Sequence, residues 1–447
     1  MAKLANIPAD CEFPQLRDIA QASLLAQKLN QHLGPAFLSG EMQVATCAIE
    51  QLHYTPGDGC WFFFIANLCD RQRDECGQQA FYGRVLNAQL AETIFAENRH
   101  KAWSQPQYGP ALIHIPEWAM VLWAYPNDPR LPGLSAMANT EKMLTIIKAA
   151  PEKFGLSHSP TMITAEQTKY VPGLRCGYIY NLTLSDGSAA AVYGKSYRNG
   201  EGEKAYALMQ HIWESAACQR NRFILPQPYS YDAELQVLWQ EAISGPPIAE
   251  IVERMPNLPE VVNEIGERLA GFHNAGLQLP LEMTFAFQVE DVCQKIETIT
   301  HAFPEYAESC ARVGQKLLEA AARLGPGPIT PVHASFKCSH IFATKKGVTF
   351  IDFDGANLGD PGYDVGRFIA HLYKMEVEEK IDPNLAQQTV ANFCASYNRA
   401  AATPLTPERI NWFTASHLLA SQIYKSVKRM KTNLLGKLLK TANQLVS

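Results

Sequence analysis

Val332-His333-Ala334-Ser335-Phe336-Lys337-Cys338-Ser339-His340, running on through Ile351-Asp352-Phe353-Asp354 to Gly359-Asp360-Pro361-Gly362-Tyr363-Asp364, is the stretch on which the fold turns. A short apolar run, Ile329 to Val332, enters a polar loop at His333, and Lys345-Lys346-Gly347 marks a turn before Val348-Thr-Phe-Ile-Asp352. Two loops at the ends of short strands, one with His333 and the other with Asp352, would then lie side by side where chemistry is often placed. A carboxylate at the end of an apolar strand is held rigidly and suits a divalent cation, because hard cations prefer oxygen ligands.

Around this β-like interruption the second half of the chain reads as helix. Val262, Ile265, Leu269 and Phe272 form one apolar stripe over Val261 to His273, Val292 to Leu324 continues in the same manner, and helices resume from Pro361 to the C-terminus. The first half is β-rich and contains an internal repeat. Tyr54-Thr-Pro56-Gly57-Asp-Gly-Cys60 and Tyr170-Val-Pro172-Gly173-Leu-Arg-Cys176 share Y-x-P-G-x-x-C at an offset of 116 residues. Tyr82-Gly83-Arg84 and Tyr193-Gly194-Lys195 follow at an offset of 111, as do Glu92 and Glu203, and Val121-Leu122-Trp123 meets Val237-Leu238-Trp239 at 116 again. Each unit reads as strand, tight turn, strand, helix, strand, with Ser185-Asp186-Gly187 as a hairpin signal in the second.

Composition narrows the class. Hydrophobic residues make up 47% and charged residues 19% of 447, which predicts an ordinary folded protein of more than one domain. A net charge of -5 offers no cationic field for nucleic acid. The eleven cysteines contain no C-x-x-C pair, so they read as reduced thiols rather than a disulfide framework or zinc ribbon, and the expected compartment is the cytoplasm. No apolar run approaches the length of a membrane span.

Ile351-Asp352-Phe353-Asp354, with Gly359-Asp360-Pro361 and Asp364 behind it, resembles the metal-binding segment of the kinase-like phosphotransferase superfamily, which includes aminoglycoside phosphotransferases and choline kinases. The resemblance covers about 165 to 447. It implies an α+β, protein-kinase-like two-lobe fold, here with a duplicated β-rich small lobe ahead of an α-rich large lobe. The expected boundaries are a helical lead-in over 1–40, a first small-lobe copy over 41–150, the nucleotide-binding second copy over 160–245 and the large lobe over 246–447. It further implies ATP or GTP with Mg2+ as cofactors and a small-molecule hydroxyl as substrate. Lys195 matches the lysine that binds the α- and β-phosphates, and Pro172-Gly173 opens the turn that covers the nucleotide. Glu203 and Glu214 are alternative partners for Lys195, Glu241 falls at the hinge between lobes, and Asp352 matches the metal-binding aspartate.

The catalytic loop departs from the family pattern. Where the superfamily has H-G-D-x-x-x-x-N, this chain retains His333 but carries Ser335 at the aspartate position and His340 at the asparagine position. A serine hydroxyl cannot act as a carboxylate base, whereas His340 could ligate a metal and Lys337 could contact phosphate. His333 reads as a brace for the loop, and Asp360 and Asp364 as its fasteners. The resemblance thus implies either a phosphotransferase or a catalytically impaired pseudokinase that binds nucleotide as a regulatory or scaffold module. From Arg409 onward, Lys425, Lys428, Arg429, Lys431, Lys437 and Lys440 accumulate near Leu434, Leu435, Leu438 and Leu439. That pattern reads as a final helix packed on the large lobe with a solvated basic face, or as a contact for an acidic partner or a membrane surface.

Overall fold

The computed structural model describes residues 12–429 and 432–447, apart from 56, 57, 72–74 and 256. Pro56 and Gly57 of the first repeat block, together with Cys11 and Lys431, lie outside the described residues. The architecture is α+β, with two antiparallel five-stranded sheets preceding a helix-rich region.

Strands β1 (Met42–Thr55), β2 (Gly59–Asp70), β3 (Glu75–Val85), β4 (Leu112–Ile115) and β5 (Met120–Ala124) form a sheet in the order β1-β2-β3-β5-β4. Strands β6 (Pro160–Val171), β7 (Arg175–Leu184), β8 (Ala189–Tyr197), β9 (Pro228–Asp232) and β10 (Val237–Glu241) follow the same order, β6-β7-β8-β10-β9. The register also corresponds: Trp61 faces Arg84 and Cys60 faces Val85 in one hairpin, and Gly177 faces Lys195 and Cys176 faces Ser196 in the other. Each sheet has two more strands than the sequence pattern predicts. The reason is plain in β6, an edge strand that leaves Thr161, Glu166, Gln167 and Lys169 exposed and so lacks alternating polarity. β4, with four residues, is too short to show a period.

The chain forms two compact units, one of residues 1–202, 232–237 and 428–432 and another of 203–231, 238–427 and 433–447. In the first unit, alternation along β2 buries Cys60, Phe62, Phe64, Ala66 and Leu68 on one face, where Leu25 and Leu29 of the helix Ala22–His32 cover them. The other face carries Tyr82, Val121 and Trp123, packed with Ile94 and Phe95 of the helix Ala88–Asn98. A seam of aromatic and polar side chains joins the repeats within this unit. Phe63 meets the Tyr170 ring edge-on at 5.2 Å, the hydroxyls of Tyr125 and Tyr178 are hydrogen-bonded, and the Tyr180 hydroxyl donates to the Met137 carbonyl at 2.8 Å.

The second unit is built on long helices with strong start signals. Asp382 caps Pro383–Ala400 by accepting from the Asn384 and Leu385 amides, and Thr406 caps Pro407–His417. Close approach depends on small residues: a Cβ at Gly266, on the helix Leu258–His273, would stand 2.2 Å from Ser396 Oγ on Pro383–Ala400. Three short strands, β11 (Leu281–Met283), β12 (Thr330–Val332) and β15 (Asn357–Gly359), form one sheet, and β13 (Ile341–Thr344) with β14 (Gly347–Phe350) forms the hairpin expected around Lys345-Lys346-Gly347. The basic C-terminal stretch ends in the helix Leu435–Leu445, whose Leu435, Leu438, Leu439 and Ala442 are buried in the unit's core. With those leucines covered, the helix lacks the open apolar face that a membrane contact requires. Among the described residues no helix is long and apolar enough to cross a membrane.

Candidate active site

The His333 loop hangs on one buried carboxylate. Asp364, in the first turn of the helix Gly362–Val377, accepts from the His333 amide at 2.6 Å and the Ala334 amide at 2.9 Å. Ala334 adopts a left-handed φ of 59°, a conformation that costs about 1–2 kcal/mol for a residue with a Cβ and persists where surrounding contacts impose it. Asp364 also meets His273 Nε2 at 3.1 Å, and His273 Nδ1 lies 2.8 Å from the Tyr397 hydroxyl. Burial works to raise the Asp364 pKa, but the hydrogen bonds and positive charge of its neighbours hold it below the usual carboxylate range. Asp360 accepts from Arg409 Nε at 2.9 Å and from the Gly362 amide at 2.9 Å, and the Arg409 guanidinium reaches on to the Gly325 carbonyl. Asp364 therefore fastens the loop, while Asp360 ties the start of the helix Gly362–Val377 to Arg409.

His333 is fully buried, with both ring nitrogens turned to backbone. Nε2 donates to the Ile351 carbonyl at 3.0 Å and Nδ1 accepts from the Ser335 amide at 3.3 Å, so the ring is neutral and joins the two loops as a brace. Burial, the strongest influence on the ring, lowers its pKa. The Ile351 amide donates to the His340 carbonyl at 3.0 Å, which completes the side-by-side placement read from the sequence.

Ser335, His340 and Asp352 converge. His340 Nδ1 lies 3.3 Å from Ser335 Oγ and 3.4 Å from Asp352 Oδ2, with the His340 side chain 7% and Asp352 12% exposed. One nitrogen faces both oxygens, whereas a serine nucleophile relay needs the base to contact serine and carboxylate through opposite nitrogens. The three side chains are instead neighbouring donors around one point. Asp352, at a left-handed φ of 70°, turns the chain out of the strand just before the short helical turn Phe353–Gly355. Among the described residues no group of three or more His, Cys, Asp or Glu side chains forms a metal cage. Half-buried Lys337 follows Ser335 on the same loop.

Glu241 is occupied structurally: it pairs with Lys346 on the β13–β14 turn and accepts from the Gln227 amide at 3.3 Å. Glu203 and Glu214 are both exposed, on and just after the helix Glu201–Trp213, and Glu214 accepts from Gln210 at 3.0 Å.

In the first unit, Lys195 is buried on β8 with its ammonium 5.0 Å from the centre of the Tyr197 ring. Pro172 and Gly173 occupy the β6–β7 turn and are also buried. Gly173 has a φ of 66°, and its amide donates to Asp128 Oδ2 at 2.7 Å, where the Tyr170 hydroxyl donates as well at 2.9 Å. Burial raises the Asp128 pKa against the pull of these donors. Local sequence assigns no part in the site to Asp128, His273 or Arg409. Asn127-Asp128-Pro129 is a turn signal, but nothing in it indicates a partner forty-five residues away.

Residues 192–404 match the sequence profile of the phosphotransferase enzyme family known as APH. Over that stretch, a little under half of its length, the chain is similar to this family. No curated protein matches the chain. Similar solved structures include a choline/ethanolamine kinase family protein from Mesorhizobium loti, at 14% identity and TM-score 0.46, covering 69% of this chain and 98% of that one. The aminoglycoside phosphotransferase APH(4)-Ia gives 16% identity and TM-score 0.46 over 68% of this chain and 98% of its own. A choline kinase from Cryptosporidium parvum gives 12% and 0.45 over 69% and 95%.

Proposed function

We propose that the protein transfers the γ-phosphoryl group of ATP to a hydroxyl of a small molecule. The observation that carries this reading is the convergence of Ser335, His340 and Asp352 beside Lys337, on a loop whose amides are fixed by Asp364. Asp352 would hold a magnesium ion, which when bound neutralises charge on the phosphates, and Lys195 would bind the α- and β-phosphates. Ser335 orients the acceptor hydroxyl by a hydrogen bond, and Lys337 offsets charge on the moving phosphoryl group. Because such transfer rests mainly on positioning and electrostatics, a site without a carboxylate base retains part of its rate; a general base typically contributes about 10²–10⁴-fold.

Ser335 in the aspartate position favours a second reading, a nucleotide-binding pseudokinase. ATP consumption with Mg2+ against a panel of hydroxyl acceptors separates the two. Turnover that disappears in Asp352→Ala supports the enzyme, and nucleotide binding with no turnover supports the pseudokinase. If neither ATP nor GTP shifts the melting temperature, both readings fail.

A further inference from the structure

Cys69 near the end of β2 and Cys76 near the start of β3 face each other directly across the hairpin, and both are thiols. The register of these two strands runs unbroken from Cys60–Val85 to Asp70–Glu75. Two features beside the cysteines hold it there. Leu68, 1% exposed, faces Gly77, and a slip of one residue would turn that leucine out of the core. A Cβ at Gly77 would run into the Tyr108 hydroxyl, and Tyr108 packs against the core of the same unit.

Directly opposed residues of an antiparallel pair point to one face of the sheet, so Cys69 and Cys76 share the face that carries Asn67 and Gln78 two residues inward. There the opposed side chains already meet: Gln78 Nε2 donates to Asn67 Oδ1 at 2.9 Å, and Asn67 Nδ2 donates to Thr46 Oγ1 on β1 at 2.7 Å. The Cα atoms of opposed residues stand about 4.5 or 5.5 Å apart, according to the kind of pair, and a disulfide spans about 4.4–6.8 Å, so either kind admits the bond. Exposure separates these two from the other thiols of the sheet. Cys76 is exposed and Cys69 half-buried, whereas Cys47 and Cys60 are buried, and burial pushes both of those thiols up to about 12. The equivalent end of the hairpin in the second sheet has no such pair, for Thr183 faces Ala189 there.

We propose that Cys69 and Cys76 form a reversible disulfide, which makes the end of this hairpin a thiol–disulfide exchange site with glutathione disulfide as its oxidant. Exposed Cys76 gives up its proton and attacks one sulfur of glutathione disulfide; a glutathione thiolate leaves with the electron pair and takes up a proton. Cys69 then attacks the Cys76 sulfur of the mixed disulfide and expels the second glutathione in the same way. Two protein thiols are oxidised as one glutathione disulfide is reduced to two glutathione molecules. An exposed disulfide is open to the reverse exchange, which suits a redox response rather than a permanent staple. None of this depends on phosphoryl transfer.

Equilibration of the full-length chain with mixtures of reduced and oxidised glutathione, followed by alkylation of the remaining thiols and peptide mass spectrometry, tests the proposal. As the mixture becomes more oxidising, the thiol count should fall by two from its full eleven, and a peptide pair linked through Cys69 and Cys76 should appear. Dithiothreitol should restore both thiols. Cys69→Ser should stop the exchange at its first step and accumulate glutathione on Cys76, and Cys76→Ser should abolish the link altogether. Both cysteines alkylated as thiols throughout the series overturn the proposal, as do glutathione retained on Cys76 of the parent with Cys69 still reduced, and links formed only between separate chains. Melting curves of the reduced variants confirm that each folds, and exposed Cys76 carries the test if Cys69→Ser does not.

Discussion

His340 points a single ring nitrogen, Nδ1, at the Asp352 carboxylate 3.4 Å away, and Ser335 approaches that same nitrogen. Position 340 thus offers a nitrogen drawn toward the Asp352 carboxylate where asparagine would offer an amide oxygen. Replacing His340 with Asn restores an oxygen donor. His340→Asn should tighten Mg2+ binding in the presence of ADP several-fold, read by titration calorimetry, while His340→Ala should not.

Ser335→Asp supplies the missing base on a loop whose backbone is already fixed by Asp364. ATP turnover in the variant should rise by roughly 10²-fold or more, the contribution of a positioned general base. An unchanged rate, with nucleotide binding intact, would show that positioning rather than the base limits transfer.

The Asp360–Arg409 pair is almost wholly buried, and Asp360→Ala leaves the guanidinium in the interior without its carboxylate. Destabilisation of about 3–5 kcal/mol is expected in urea titration. The double variant Asp360→Ala, Arg409→Met should recover most of that loss, because it removes the stranded charge while keeping contact with Phe285 and Phe413.

Burial pushes His417 down to about 3, and its Nε2 donates to the Tyr363 carbonyl at 2.9 Å. The folded protein therefore keeps the ring neutral where the unfolded chain, near the ordinary value of about 6.5, takes up a proton. The stability this contributes is complete above about 6.5 and is lost as pH falls toward about 3. His417→Gln, which retains a donor, should lower the melting temperature at pH 7.5, and the gap to the parent should narrow at pH 5.

Asp128→Ala removes the acceptor shared by the Gly173 amide and the Tyr170 hydroxyl. Each buried donor left without a partner costs about 1–3 kcal/mol. The melting temperature should fall accordingly, and a fall no larger than that of an exposed substitution such as Glu141→Ala would show the turn to be held by other contacts.

The parts of the site that sequence exposed were those close together along the chain. His333, Ser335, His340 and Asp352 lie within one short strand-loop-hairpin, so local polarity and turn residues already placed them side by side. The groups that hold them were hidden because they arrive from remote helices: His273 ends an ordinary amphipathic stripe, and Arg409 opens a helix buried on nearly every side. The repeat fixed the order of the β-rich half, yet β6 escaped notice, since an edge strand has no buried face along most of its length to leave a period of two. Asp128 was invisible for another reason: at the repeat's offset of 116 its position holds Ser244, so the repeat could not reveal a carboxylate there.

The seam between the repeats changes what can be removed from this chain. Tyr170, Tyr178 and Tyr180 of the second copy are covered by Phe63, Tyr125, Asp128 and Met137 of the first. A fragment lacking the first sheet would expose this wall of tyrosines. The tyrosine-bearing side of the second sheet is thus interior shared with the first, and the two are committed to each other.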